Sequence, residues 1–325
     1  MSHPALPPSS RSASPASPAS APSDADVRRG LALGVLGVAV FALTLPMTRL
    51  AVGDTSQPQL PPVFVTAGRA AVAGVLSVLF LVLTRAPRPD RRHWPALAVC
   101  GLGTVVGFPL FLALALREVA SMHAAVVTGL LPLATAAVAA VVLRQRPFWG
   151  FWACALAGTC LVVAFALHEG GGQFSRADLY LLAAISCTAM GYVAGARVSA
   201  EVPAEQVICW VLVGALPFTV PVALWSWPAT AASVSAWAAF GYVSVFSMWL
   251  GFFAWYRGLA LGGVVRVSQV QMLQPFFALV AAVPLLGEPL APSTVLFALA
   301  VMTVVAVGRR MPVGVPGAPR SSVRR

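Results

Sequence analysis

Apolar runs about as long as a bilayer is thick follow one another through this chain, with only short polar links between them. There are ten, at approximately 30–51, 63–84, 95–116, 120–143, 148–168, 179–199, 207–227, 235–256, 263–286 and 291–308. About 20 apolar residues carry a helix across the hydrocarbon core. In that medium only helices and closed barrels satisfy their own backbone, so runs of this length predict helices. No link is long enough for a soluble catalytic domain. Charged residues are 10% of the chain and hydrophobic ones 59%, which fits an all-α polytopic membrane protein.

Two of the runs repeat each other at a spacing of 143 positions, from Leu130 to Leu273. Leu130-Leu131-Pro132-Leu133 continues to Leu143-Arg144-Gln145-Arg146-Pro147, and Leu273-Gln274-Pro275-Phe276 continues to Leu286-Gly287-Glu288-Pro289. In each copy an apolar helix carries a proline near its middle and ends in a short polar turn. Duplicated helical units of this kind are the frame of many secondary transporters, whose substrate sits between the repeats.

The formal net charge of +11 invites a nucleic-acid reading, which the positions of the charges exclude. All 21 basic residues are Arg, and most fall in alternate links, including Arg85, Arg88, Arg91 and Arg92 after the second run and Arg144 and Arg146 after the fourth. The other links hold little beyond Arg117 and Arg176, beside Asp54, Glu118, Glu169 and Asp178. That asymmetry is the positive-inside signal and predicts two cytoplasmic termini in an inner-membrane protein. Five spans per unit is an odd number, so the second unit must enter the membrane upside down. The expectation is ten transmembrane helices arranged as two inverted five-helix repeats, 30–168 and 179–308. Residues 1–27, rich in Pro, Ser and Ala, are expected to be a disordered cytoplasmic tail, and 311–325 a basic cytoplasmic tail near the inner leaflet.

Leu112-Ala113-Leu114-Ala115-Leu116-Arg117 leading to Ala124-Ala125 and Leu131-Pro132-Leu133, together with Tyr256-Arg257 through Gly287-Glu288-Pro289-Leu290, resembles the EamA-like ten-helix branch of the drug/metabolite transporter superfamily. Arg69 stands where such proteins often carry an arginine. One departure is Gln145, where the family pattern usually has Glu. The resemblance implies a transporter without a cofactor, a cavity surrounded by helices other than the fifth and tenth, and a bias towards export.

Polar groups inside spans are costly there and are therefore functional candidates. On the ninth run Ser268, Gln271 and Pro275 follow one helical face with Gln274 beside them. Pro275 is expected to free a backbone carbonyl one turn back. On the fourth, Thr128, Pro132 and Thr135 share a face, with His123 a turn and a half earlier. The eighth offers Ser244, Ser247, Met248, Gly251 and Trp255, and the third Gly101, Thr104, Phe108 and Phe111. The expected substrate pathway is Gln271, Gln274, Ser268, Arg69, Thr128, Thr135, Ser247 and Trp255. Each has a competing reading. Hydroxyls commonly pack between helices, Trp255 suits an aromatic belt, and Arg69 is shallow enough to snorkel to the interface. His123 is either the proton-coupling group or a hydrogen-bonded interfacial histidine. Pro132, Pro275 and Glu288 are read as structural, with Glu288 favouring the positive end of the tenth helix.

The five cysteines all lie in apolar runs without a CxxC pair or a His cluster, so neither a disulfide nor a metal site is expected. No nucleophile–base pair or phosphate loop marks an enzyme. No carboxylate is expected at the bilayer midplane, which disfavours a cationic substrate and an internal acidic proton relay. The expected function is alternating-access transport of a small neutral or zwitterionic metabolite, such as an amino acid. Its partners are that solute and the lipid bilayer, with monomer and homodimer both open. Two other readings stand beside it: a lipid-linked or nucleotide-sugar carrier of the same fold, and a non-transporting membrane sensor or scaffold.

Overall fold

The computed structural model describes residues 24–142, 146–169, 172–173, 175–262, 267–310 and 313–314, with Ser268 described by its backbone alone. Eight helices among the described residues are long and apolar enough to cross a membrane. They are α1 (Asp24–Val52), α2 (Pro62–Leu83), α3 (Arg91–Ala115), α4 (Ser121–Val142), α5 (Trp149–Glu169), α6 (Arg176–Val198), α7 (Ala204–Trp225) and α8 (Val234–Leu259). Two shorter apolar helices follow, α9 (Val270–Leu286) and α10 (Pro292–Gly308). They occupy the expected ninth and tenth places, at 17 residues each, the lower edge of what spans a bilayer.

Local chemistry sets the helix ends. Pro62 and Pro292 stand in the first turns of α2 and α10, where a missing N–H is harmless. Ser175 caps α6, and its capping box is closed by Asp178. Gly287 ends α9 at φ 66°, a left-handed conformation that glycine adopts without strain. α1 begins at Asp24, inside the 1–27 segment read as a tail, with Asp24 and Asp26 in its first turn. Residues 1–23, Gln145, Arg266 and most of 311–325 lie outside the described residues. Within the C-terminal tail, Val313–Gly314 pairs antiparallel with Arg146–Pro147.

The helices pack across the two halves: α2 with α7, α3 with α6, α1 with α8, α5 with α10, α4 with α6 and α9 with α1, while α4 and α9 also touch each other. Exchanging each helix with the one five places away leaves this pattern unchanged, which is a twofold relation. Corresponding helices also run antiparallel. Phe64, at the start of α2, meets Trp227, just past the end of α7, and Gly74 further along α2 abuts Leu216. On α5 and α10, Phe165 meets Phe297 while Gly158 meets Val304. The halves are therefore inverted.

Small residues allow the tightest crossings. A Cβ on Gly103 of α3 would overlap the Cys187 carbonyl oxygen of α6. A Cβ on Gly258, near the end of α8, would lie 2.8 Å from the Gly34 nitrogen of α1. Lipid gives apolar side chains little reason to associate, so close backbone packing of this kind holds membrane helices together.

The helices also bend in register. Gly101–Gly107 of α3 and Val243–Leu250 of α8 wind as π-helix. Adding 143 to the first range gives 244–250, the repeat spacing read from the sequence. In α3, Pro109 lacks the N–H that an α-helix would direct at Val105. The Thr104 hydroxyl donates to the Cys100 carbonyl at 2.7 Å, and the Ser244 hydroxyl donates to Phe240 at 2.6 Å, supplying local partners where the ladder loosens.

Candidate functional site

Both proline-bearing helices are interrupted just where the proline predicts. In α4, regular helix stops at Thr128 and resumes at Leu131, one residue before Pro132. Leading into α9 and through its first residues, Ser268–Leu273 winds as a 3-10 turn, and α-helix begins at Gln274, one residue before Pro275. The ring strips its own N–H from the ladder and crowds the preceding turn. At Pro275 the outcome is a change of helix type and not the single freed carbonyl that the sequence suggests.

These interruptions face a cavity of about 280 Å3, lined by Thr128, Pro132, Thr135, Gln271, Gln274 and Pro275 together with Leu45, Phe108, Tyr192 and other apolar groups. A smaller space of about 70 Å3 is bounded by Arg69, Thr44, Thr104, Thr188 and Ser247. Leu45, Phe108, Leu131, Tyr192, Gln271 and Gln274 border both, so the two are lobes of one chamber. The chamber lies where the halves meet. Thr128 and Gln271 are 143 positions apart, as are Leu131 and Gln274, and Thr104 and Ser247, and all of them face it.

The lining is mostly apolar with a few placed polar groups, the usual make-up of a small-molecule site. Thr128 donates its hydroxyl to the Ala124 carbonyl at 2.7 Å and Thr135 donates to Leu131 at 2.8 Å, so each turns oxygen lone pairs to the chamber. Among the described residues the amides of Gln271 and Gln274 have no protein partner. Arg69 is 3% exposed. Its Nη2 donates to the Ser247 hydroxyl at 3.0 Å, and Ser247 is 2.7 Å from the Thr44 hydroxyl, so one chain of bonds ties α2, α8 and α1. Arg69 is thus enclosed by helices and does not snorkel outward.

Six of the eight expected pathway residues converge on the chamber: Gln271, Gln274, Arg69, Thr128, Thr135 and Ser247. Trp255 does not. It is buried with Val38 and Val267 against α1, where Gly37 leaves room for it. Ser268 cannot be placed, its side chain lying outside the described residues. The sequence reading did not single out Tyr192, Thr44 or Thr188, although Thr188 and Tyr192 stand one turn apart on a single face of α6. Met302 places α10 at the chamber wall, where the family resemblance implied that the tenth helix stays outside, while α5 does stay outside.

His123 lies away from the chamber. Its Nε2 is 2.7 Å from Asp178 Oδ1, and its ring stacks on Phe165 at 5.0 Å between centroids. Asp178, expected in a solvated link, is 2% exposed. It satisfies His123 and the Ser175 backbone N–H and hydroxyl together. Glu288 also departs from its expected role. Its carboxylate accepts the backbone N–H groups of Ser121 at 2.7 Å and Met122 at 2.9 Å, capping α4 of the other half instead of α10.

A chamber between inverted halves, walled by interrupted helices, is an arrangement that many transporter folds share, and the comparisons are with transporters. The chain is 44% identical over 279 residues to Uncharacterized transporter YdeK of Bacillus subtilis (strain 168), covering 85% of this chain and 96% of that protein. It is 23% identical over 258 residues to Uncharacterized transporter YyaM of the same organism, covering 76% and 83%. A solved crystal structure matches its fold with a TM-score of 0.59 at 20% identity, over 86% of this chain and 98% of that one. The model of the EamA-like transporter family matches twice, over residues 28–167 and 175–307, once on each inverted half, and the chain belongs to that family.

Proposed function

We infer that the chain carries a small polar metabolite across the cytoplasmic membrane by alternating access, with the chamber as the carrying site and both termini in the cytoplasm. The observation that carries this reading is the convergence of Gln271 and Gln274 with Thr128 and Thr135 on a chamber bounded by both halves. Unpaired amides in hydrocarbon are expensive unless something polar visits them. Each polar wall belongs to an interrupted helix, so a rocking of one half against the other would open the chamber to either side. A volume of about 280 Å3 suits a solute of amino-acid size. Export is the direction the family resemblance favours.

The test is a paired metabolite comparison of cytoplasm and medium. It uses cells lacking the protein, cells expressing it, and cells expressing Gln271→Leu/Gln274→Leu at equal membrane abundance. A compound that moves outward with expression, and less so in the double variant, supports the reading. If no compound is redistributed in rich or stressed medium, the protein is a sensor or scaffold that has kept the fold.

A further inference from the structure

Three of the described arginines have carboxylates. Arg49 lies 3.5 Å from Asp54, Arg92 pairs with Glu201, and Arg176 lies 2.7 Å from Glu118. Arg69 has none. It is 3% exposed, and its Nε and Nη1 are buried without a hydrogen-bond partner. No carboxylate lines either lobe of the chamber among the described residues. A guanidinium stays protonated and presents five N–H donors, of which Ser247 answers one. A buried charge left in this state is strongly unfavourable unless a counter-charge arrives.

We propose that Arg69 is the oxyanion subsite of the chamber and that the substrate carries a carboxylate, which binds in the smaller lobe across the Arg69 fork beside Ser247 and Thr44. This rests on the reading of the chamber as the carrying site. The small lobe, about 70 Å3, has room for a carboxylate group and little more. The planar guanidinium matches a carboxylate through two parallel N–H···O bonds, a geometry that an amide or an alcohol cannot repay in charge. The large lobe offers the complementary chemistry. Thr128 and Thr135 have spent their hydroxyl protons on their own helix, so their oxygens accept. The carbonyl oxygens of Gln271 and Gln274 accept as well. A donor-rich group such as an ammonium fits there, so an α-amino acid or a closely similar zwitterion matches the two ends. A cationic amine would meet Arg69 without a counter-charge, and a neutral solute would leave it unpaired.

Purified full-length protein in detergent tests this by its melting temperature in sodium acetate, in sodium chloride of equal ionic strength, and in acetamide, the neutral counterpart of acetate. Binding to the folded state raises the melting temperature by mass action. The expected result is a saturating rise with acetate, none with acetamide, loss of the rise in Arg69→Gln and a smaller rise in Arg69→Lys, which keeps the charge without the fork. Acetate no better than chloride, acetamide equal to acetate, or an unchanged rise in Arg69→Gln overturns the proposal. Should Arg69→Gln fail to fold, the wild-type comparison and Arg69→Lys decide. Acetate binding through Arg69 in a protein that redistributes no metabolite would defeat the transport reading and leave the anion site standing. Redistribution unaffected by Arg69→Gln would do the reverse.

Discussion

Glu288 caps the helix that begins at Ser121, although the two residues lie in opposite halves of the chain, 167 positions apart. Ala120, the residue in the capping position of α4, has no side chain that can accept the first N–H groups. The Glu288 carboxylate takes Ser121 and Met122 together, and the positive end of the helix favours its charge. Glu288→Ala should lower stability by about 1 kcal/mol, the usual effect of losing a cap. Glu288→Gln, with one acceptor oxygen and no charge, should fall between. Thermal unfolding in detergent measures both, and an unchanged alanine variant would show that the cap contributes nothing.

His123 and Asp178 form a buried pair that fastens α4 to the start of α6. Removing His123 leaves Asp178 Oδ1 without its partner, and removing Asp178 leaves His123 Nε2 without its own, so the two single losses should not add. A double-mutant cycle with His123→Ala and Asp178→Ala is expected to give a coupling of about 1 kcal/mol or more. Because His123 is absent from the chamber wall, His123→Asn should also keep most of the metabolite redistribution. Complete loss of redistribution in a folded His123→Asn protein would instead assign the pair to coupling.

Gly103 leaves no space for a side chain. A Cβ there would stand 2.9 Å from the Gly191 Cα as well as against the Cys187 carbonyl, and backbone cannot yield as a flexible side chain does. Gly103→Val should destabilise by about 3 kcal/mol, at the upper end of overpacking effects. The expected sign is a steep fall in folded yield on size-exclusion chromatography. Gly241, which has nothing near it, makes the control: Gly241→Ala should leave the yield unchanged.

Tyr192 borders both lobes, at the junction between them. Tyr192→Phe keeps the ring and removes one hydrogen-bonding group. Apparent affinity for the transported compound should fall by up to about tenfold, the equivalent of one hydrogen bond, while the melting temperature holds. Equal affinity in the two proteins would take the hydroxyl out of the site.

The parts of this structure that periodicity encodes were readable, down to single positions. The spacing from Pro132 to Pro275 also relates the π-helical turns of α3 and α8, and it pairs Thr128 with Gln271 across the chamber. Polar residues on apolar helices stand out by composition alone, which is why Gln271, Gln274 and Arg69 were visible. What sequence could not carry was partnership through space. Asp178 reads as a link charge, two residues inside its helix, until His123 is seen 55 positions away in the chain and 2.7 Å away in the fold. Glu288 sits next to α10 in sequence, yet the helix end within its reach belongs to α4. Trp255 shares a helical face with Ser247, but α1 covers it through Gly37 and removes it from the chamber.

The most extensive helix contacts all join one half to the other. During synthesis α1 to α5 therefore emerge before their principal partners exist, and early assembly within the first half has little to build on. The first half must wait in lipid with its crossing faces unmatched until α6 to α10 have been inserted. A polypeptide stopped near residue 170 would retain its membrane spans and lose its architecture, which makes it a natural target for membrane quality-control proteases. Translation of the second half is, for this protein, the folding step of the first.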